Sequence, residues 1–99
     1  MFEVFYTAQA EADILSAYRA ARRHAPLTAG LWLQRMYAAV DDLAEMPERF
    51  AVVDDDSADL GFEVREMLFG NRRRAYRIRY RIQPNLVVVL SVERASRNR

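Results

Sequence analysis

The 99 residues predict an α+β domain: an N-terminal strand, an antiparallel helical hairpin, then a three-stranded antiparallel meander. Three observations carry this. Between Tyr76 and Ile82 the chain alternates without a break, with Tyr76, Ile78, Tyr80 and Ile82 on one side and Arg77, Arg79 and Arg81 on the other. Two earlier stretches repeat apolar residues every three or four positions, as helices with one buried face do. Turn signals at Gly70-Asn71 and Gln83-Pro84-Asn85 then cut the second half into short strands.

The elements follow in order. Phe2 to Tyr6 is rich in aromatic and β-branched residues and reads as a strand. Thr7 is a good N-cap for a helix starting at Ala8. Ala10, Ile14, Ala17, Tyr18 and Ala21 form its apolar stripe, and Arg22, Arg23 and His24 suit the negative end of its dipole. Pro26 stands where a second helix would start. Ala29, Trp32, Leu33, Met36, Val40 and Leu43 are its buried face, and Pro47 stops it. Residues 47–61 read as a polar acidic connection pinned by Phe50, Val52 and Val53, with Asp54, Asp55 and Asp56 in a solvated loop and no metal site. Strands from Phe62 to Phe69 and from Tyr76 to Ile82 come next. The stretch Leu86 to Val92, apolar apart from Ser91, implies a central strand with both faces at least partly covered.

Length and a hydrophobic share of 52% point to one domain spanning residues 1–99. With no cysteine there are no disulfides or thiolate metal ligands, which suits a reducing cytoplasm. The start MFEVFYTAQAEAD has no basic segment before an apolar run, so no signal peptide is expected, and the run Leu86–Leu90 is far too short to cross a bilayer. No cofactor is called for. Net charge is only +1, but residues 1–61 carry five arginines against eleven acidic residues, and residues 62–99 carry ten against three. Such segregation points to a polyanionic partner or an acidic peptide for the C-terminal half. A genome that writes Arg for Lys explains the lack of lysine, though not the segregation.

Several stretches together resemble the RelE/ParE superfamily of toxins from type II toxin–antitoxin modules. They are Tyr6-Thr7-Ala8 with Ala12-Asp13, Leu43 to Arg49, Val64 to Gly70, Tyr76 to Tyr80, and Val87 to Val92 followed by Arg94 and Arg97. Each is weak alone; their order and spacing, over nearly the whole chain, are fairly specific. The resemblance implies a toxin neutralised by a cognate antitoxin. It implies one of two activities: poisoning DNA gyrase, as ParE-like members do, or cutting messages on the ribosome, as RelE-like members do. In the nuclease reading Arg77, Arg65 and Arg94 are the catalytic candidates. Arg94 stands where many relatives have His, and the chain lacks the lysines and C-terminal tyrosine of the ribosome-dependent enzymes.

Chemistry weighs the same way. RNA cleavage through the 2′-hydroxyl needs a general base and acid, and arginine stays charged and serves neither role well. His24 stands at the hairpin turn, away from the sheet face, and reads as a capping residue. Arginine does suit phosphate or carboxylate recognition, so Arg72, Arg73, Arg74, Arg79, Arg81 and Arg97 are assigned with Arg77 to a polyanion- or target-binding face. A gyrase poison needs only such a surface. Trp32 and Met36, otherwise simply core, are the candidates for antitoxin binding, since antitoxin helices dock by apolar anchors. A basic binding module without toxicity is the third alternative.

Overall fold

A computed structural model describes residues 2–71 and 73–95. The chain runs β1 (Glu3–Tyr6), α1 (Ala8–His24), α2 (Ala29–Asp41), α3 (Asp54–Leu60), β2 (Arg65–Phe69), β3 (Tyr76–Gln83) and β4 (Leu86–Arg94). Two 3-10 turns, Asp42–Ala44 and Pro47–Arg49, follow α2. The four strands form one sheet in the order β1-β4-β3-β2. β2, β3 and β4 are the expected antiparallel meander, and β1 lies parallel to β4 on its far side. β4 is therefore central, and Val87, Val88 and Val89 are all buried on it.

Local chemistry explains how the hairpin is seated. The Thr7 hydroxyl accepts from the Ala10 amide at 3.0 Å, as an N-cap should, and donates to the Leu90 carbonyl at 3.1 Å. One residue thus starts α1 and ties that start to β4. A second tie comes from a β-bulge. Tyr80 pairs with Val89 and Arg79 with Ser91, so Leu90 is the extra residue on β4. Just beyond it, the Val92 amide donates to Asp13 of α1 at 2.9 Å. The bulge also resets the alternation, which puts Val92 and Arg94 on the helix side of the sheet and Glu93 on the other.

Several boundaries differ from expectation, and β2 starts at Arg65, three residues after Phe62. Pro26 lies inside a turn, and α2 starts three residues later at Ala29. α2 also ends at Asp41, six residues before Pro47, by tightening into the 3-10 turns. The acidic stretch at 54–60 is a short helix, α3, and not a loop. Three aspartates in its first turn face the positive end of its dipole, and Gly61, at φ +80°, closes it in the left-handed conformation. Ser57 anchors it, donating to Val53 O at 2.7 Å and accepting from the Val64 amide at 2.8 Å.

The core lies between the hairpin and the inner face of the sheet. Ala10 and Ile14 of α1 and Met36, Val40 and Leu43 of the α2 region meet Met67, Ile78, Tyr80, Val87, Val89 and Val92. Tyr80 is fully buried, and its hydroxyl donates to the Pro47 carbonyl at 2.6 Å. Burial pushes its phenol up to about 12. Burial beside Asp41 also raises Tyr6, whose hydroxyl has no hydrogen-bond partner among the described residues. The sign follows directly. A phenol that keeps its proton longer in the folded chain adds stability below pH about 10, and that contribution is lost as the pH climbs towards 12. Alkaline unfolding monitored by circular dichroism should show Tyr80 contributing on the order of 2–3 kcal/mol to the fall in stability between pH 10 and 12. Tyr80→Phe should flatten that part of the profile; an unchanged slope would mean that another group drives it.

Candidate functional site

The sequence places Arg77, Arg79 and Arg81 on the sheet face opposite α1 and α2, and the register puts them there. They do not form an open row of free charge. Arg79 stands directly across from Glu66 on β2 and near Glu93 on β4. Its guanidinium reaches Glu66 at 3.2 Å, Glu93 at 3.0 Å and Asp56 of α3 at 3.0 Å, which leaves 18% of the side chain exposed. Arg77 sits 3.8 Å from the second Glu66 oxygen and is more open. Arg81 lies over the Phe62 ring at 3.8 Å from its centroid, a cation–π contact. Three arginines thus meet three of the domain's own carboxylates and an aromatic ring. Arg79 and Arg81, expected on an open arginine row, are thus engaged within the domain itself. The physical reason is that strand pairing aligns acids far away in sequence with the arginine positions.

Arg65 is also occupied. It faces the same side as Tyr80, its partner across β2 and β3. One guanidinium nitrogen donates to the carbonyls of Glu48 at 2.9 Å and Phe50 at 2.7 Å, and the other lies 3.6 Å from Glu63. Arg65 and Tyr80 together clasp the segment that leaves the hairpin. Arg77 and Arg94 occupy neighbouring rows on opposite faces of the sheet, since Arg77 pairs with Glu93 and Tyr76 with Arg94. Along β3 the levels of Arg65 and Arg94 differ by four residues, or about 13 Å. The three nuclease candidates are not brought to one point. Met36, expected as a possible antitoxin contact, is fully buried in the core and not on the surface. Apolar side chains that the hairpin does expose are Leu15, Leu27, Leu31 and Tyr37. Arg72 and Arg97 lie outside the described residues.

Uncompensated positive charge gathers elsewhere. A cleft of about 110 Å3 opens where the end of α1, the start of α2 and the ends of β3 and β4 converge. His24, Trp32, Arg74, Tyr76 and Arg94 line it, over small side chains such as Ala21 and Ala25. The Trp32 ring packs against Tyr76 at 5.5 Å and Phe69 at 6.1 Å between centroids. Among the described residues no carboxylate pairs with Arg74 or Arg94; Arg94 only donates to the Arg73 carbonyl at 3.4 Å.

His24 is therefore not remote from the sheet, as its place in the hairpin turn suggests. Two features put it beside the strands. After Gly70 the chain curls back at Asn71, whose Oδ1 accepts from the Arg73 and Arg74 amides at 3.2 and 3.1 Å. Gly70, at φ +103°, makes that curl possible: a side chain there would meet the Arg74 carbonyl at 2.8 Å. The bulge then turns Arg94 to the helix side. A sequence reading could flag Gly70-Asn71 as a turn but had no signal for the bulge.

No described cluster of three His, Asp or Glu side chains is placed to hold a metal ion. None of the described helices is long and apolar enough to cross a membrane. A family model described as the ParE toxin of the type II toxin–antitoxin system parDE matches residues 4–99. Among curated proteins none matches the sequence. A solved structure titled "Chromosomal ParDE TA system from P. aeruginosa" superposes with a TM-score of 0.75 at 18% identity, covering 97% of this chain and 98% of that one. At that identity it speaks for the fold.

Proposed function

The chain belongs to the ParE toxin family of type II toxin–antitoxin systems, and on that premise we propose that it binds and poisons DNA gyrase in the cytoplasm and is neutralised by a cognate antitoxin. The observation that carries the choice of gyrase over messenger RNA is the dispersal of Arg65, Arg77 and Arg94. Arg65 is spent on backbone carbonyls, and Arg77 and Arg94 point to opposite sides of the sheet. Cleavage of one phosphodiester asks for such groups around a single phosphate, with a proton donor and acceptor beside them. Inhibition by binding asks only for an accessible, complementary surface. Arg77, loosely paired and partly open, and Arg73 and Arg74 in the exposed hairpin loop are the target contacts in this reading.

Purified gyrase tests it. The toxin should block supercoiling and leave ribosome-bound messages intact; intact supercoiling with cut messages would reverse the assignment. Arg77→Ala should weaken the inhibition several-fold. It should move the thermal unfolding midpoint little, because a partly exposed pair contributes about 0–1 kcal/mol. Unfolding on that substitution would show that Arg77 serves the fold and not the target.

A further inference from the structure

Resting on the antitoxin reading, we propose that the cleft between the hairpin and the strand ends seats one acidic side chain of the antitoxin, a glutamate by its chemistry. Size comes first. A volume of about 110 Å3 is well below the roughly 300–1,000 Å3 of sites that enclose cofactors or nucleotides. It has room for one side chain. The lining then selects which kind. Trp32, Tyr76 and the methyl groups of Ala21 and Ala25 offer an apolar wall for a methylene stem, while the Arg74 and Arg94 guanidinium groups and the His24 ring offer donors for a carboxylate.

Charge complementarity argues in the same direction. The arginines of the outer sheet face already meet Asp56, Glu66 and Glu93, whereas none of the described residues lining the cleft is acidic. A phosphate group alone has no apolar part to lay against the Trp32 and Tyr76 rings, and a cleft of about 110 Å3 is small for the base that would stack there. Leu27 and Leu31, both exposed, each directly precede a cleft-lining residue, Thr28 and Trp32. A segment that anchors an acid here thus finds apolar surface close by.

The test uses two measurements. In the first, the product of the adjoining reading frame is titrated against the full-length toxin and against an Arg74→Ala, Arg94→Ala double variant. Both arginines are exposed, so the variant should unfold at an unchanged temperature. Affinity should fall by about tenfold or more, chiefly through faster dissociation. Arg19→Ala, which removes the same type of charge from outside the cleft, should change it little. Failure of the wild-type toxin to bind that product sinks the antitoxin reading and the anchor together. Equal affinity for wild type and double variant sinks the anchor alone.

The second measurement follows the Arg74 and Arg94 Nε–H resonances and the fluorescence of the single tryptophan, Trp32. N-acetylglutamate amide and inorganic phosphate are added at matched ionic strength. Selective shifts with the glutamate probe support the anchor. Shifts with phosphate alone overturn it in favour of a nucleic-acid contact, and no shift with either overturns it outright.

Discussion

Ile78→Ala should lower the stability of this chain by about 2–5 kcal/mol, a large part of what a domain of this size possesses. Ile78 is fully buried in the middle of β3, between Met67 on one neighbouring strand and Val92 on the other. It joins the cluster that Met36 and Val40 complete from the helix side. Removing its outer carbons leaves a hole that the rigid sheet cannot close. Leu68→Ala on adjacent β2 is the control. Leu68 is 61% exposed on the outer face, and its truncation should cost within about 0.5 kcal/mol. Urea unfolding of the two variants reads the difference. Similar midpoints would mean that the two faces of the sheet are wrongly assigned.

Arg65→Ala should cost about 2–3 kcal/mol, because hydrogen bonds to charged groups contribute more than neutral ones and two carbonyls lose their donor. The Glu48 and Phe50 carbonyls are held by a single guanidinium nitrogen, and this clasp closes the chain between the hairpin and β2. Arg65→Lys should recover only part of the loss, since an ammonium lacks the planar fork that bonds the carbonyls while facing Glu63. The consequence for function is specific. Loss of toxicity in an Arg65 variant should track its melting temperature and not a catalytic step. A variant that melts like the wild type yet has lost activity would return Arg65 to the functional surface.

Much of the architecture was legible because it rests on local periodicity. Thr7 capped the first helix as read, and Tyr76 to Ile82 kept their alternation. Leu86 to Val92, apolar apart from Ser91, became the central strand. Misreadings cluster where short-range signals are ambiguous. Asp54-Asp55-Asp56 reads as loop in isolation, yet aspartates suit the first turn of a helix, and Ser57 and Gly61 supply its anchor and its end. Met36 reads most simply as core with the groove as the alternative, and its depth beneath the sheet places it in the core.

The candidate site was less legible than the fold. Periodicity correctly sorted the arginines of β3 away from the core, since it depends on a residue and its own neighbours in the chain. It carried no information about Asp56, Glu66 and Glu93, which reach Arg79 only after three separate segments have been placed. Nor could it foresee that one extra residue on β4 would swing Arg94 across the sheet to meet Arg74 and His24. The amino-acid order alone settled which side chains point inward and which outward where a clean periodicity runs, as along α1 and β3. Strand register, the bulge and the path of the turns decided which charges are cancelled and which stay open, because Coulomb and hydrogen-bond partners are set by distance in space and not by separation along the chain.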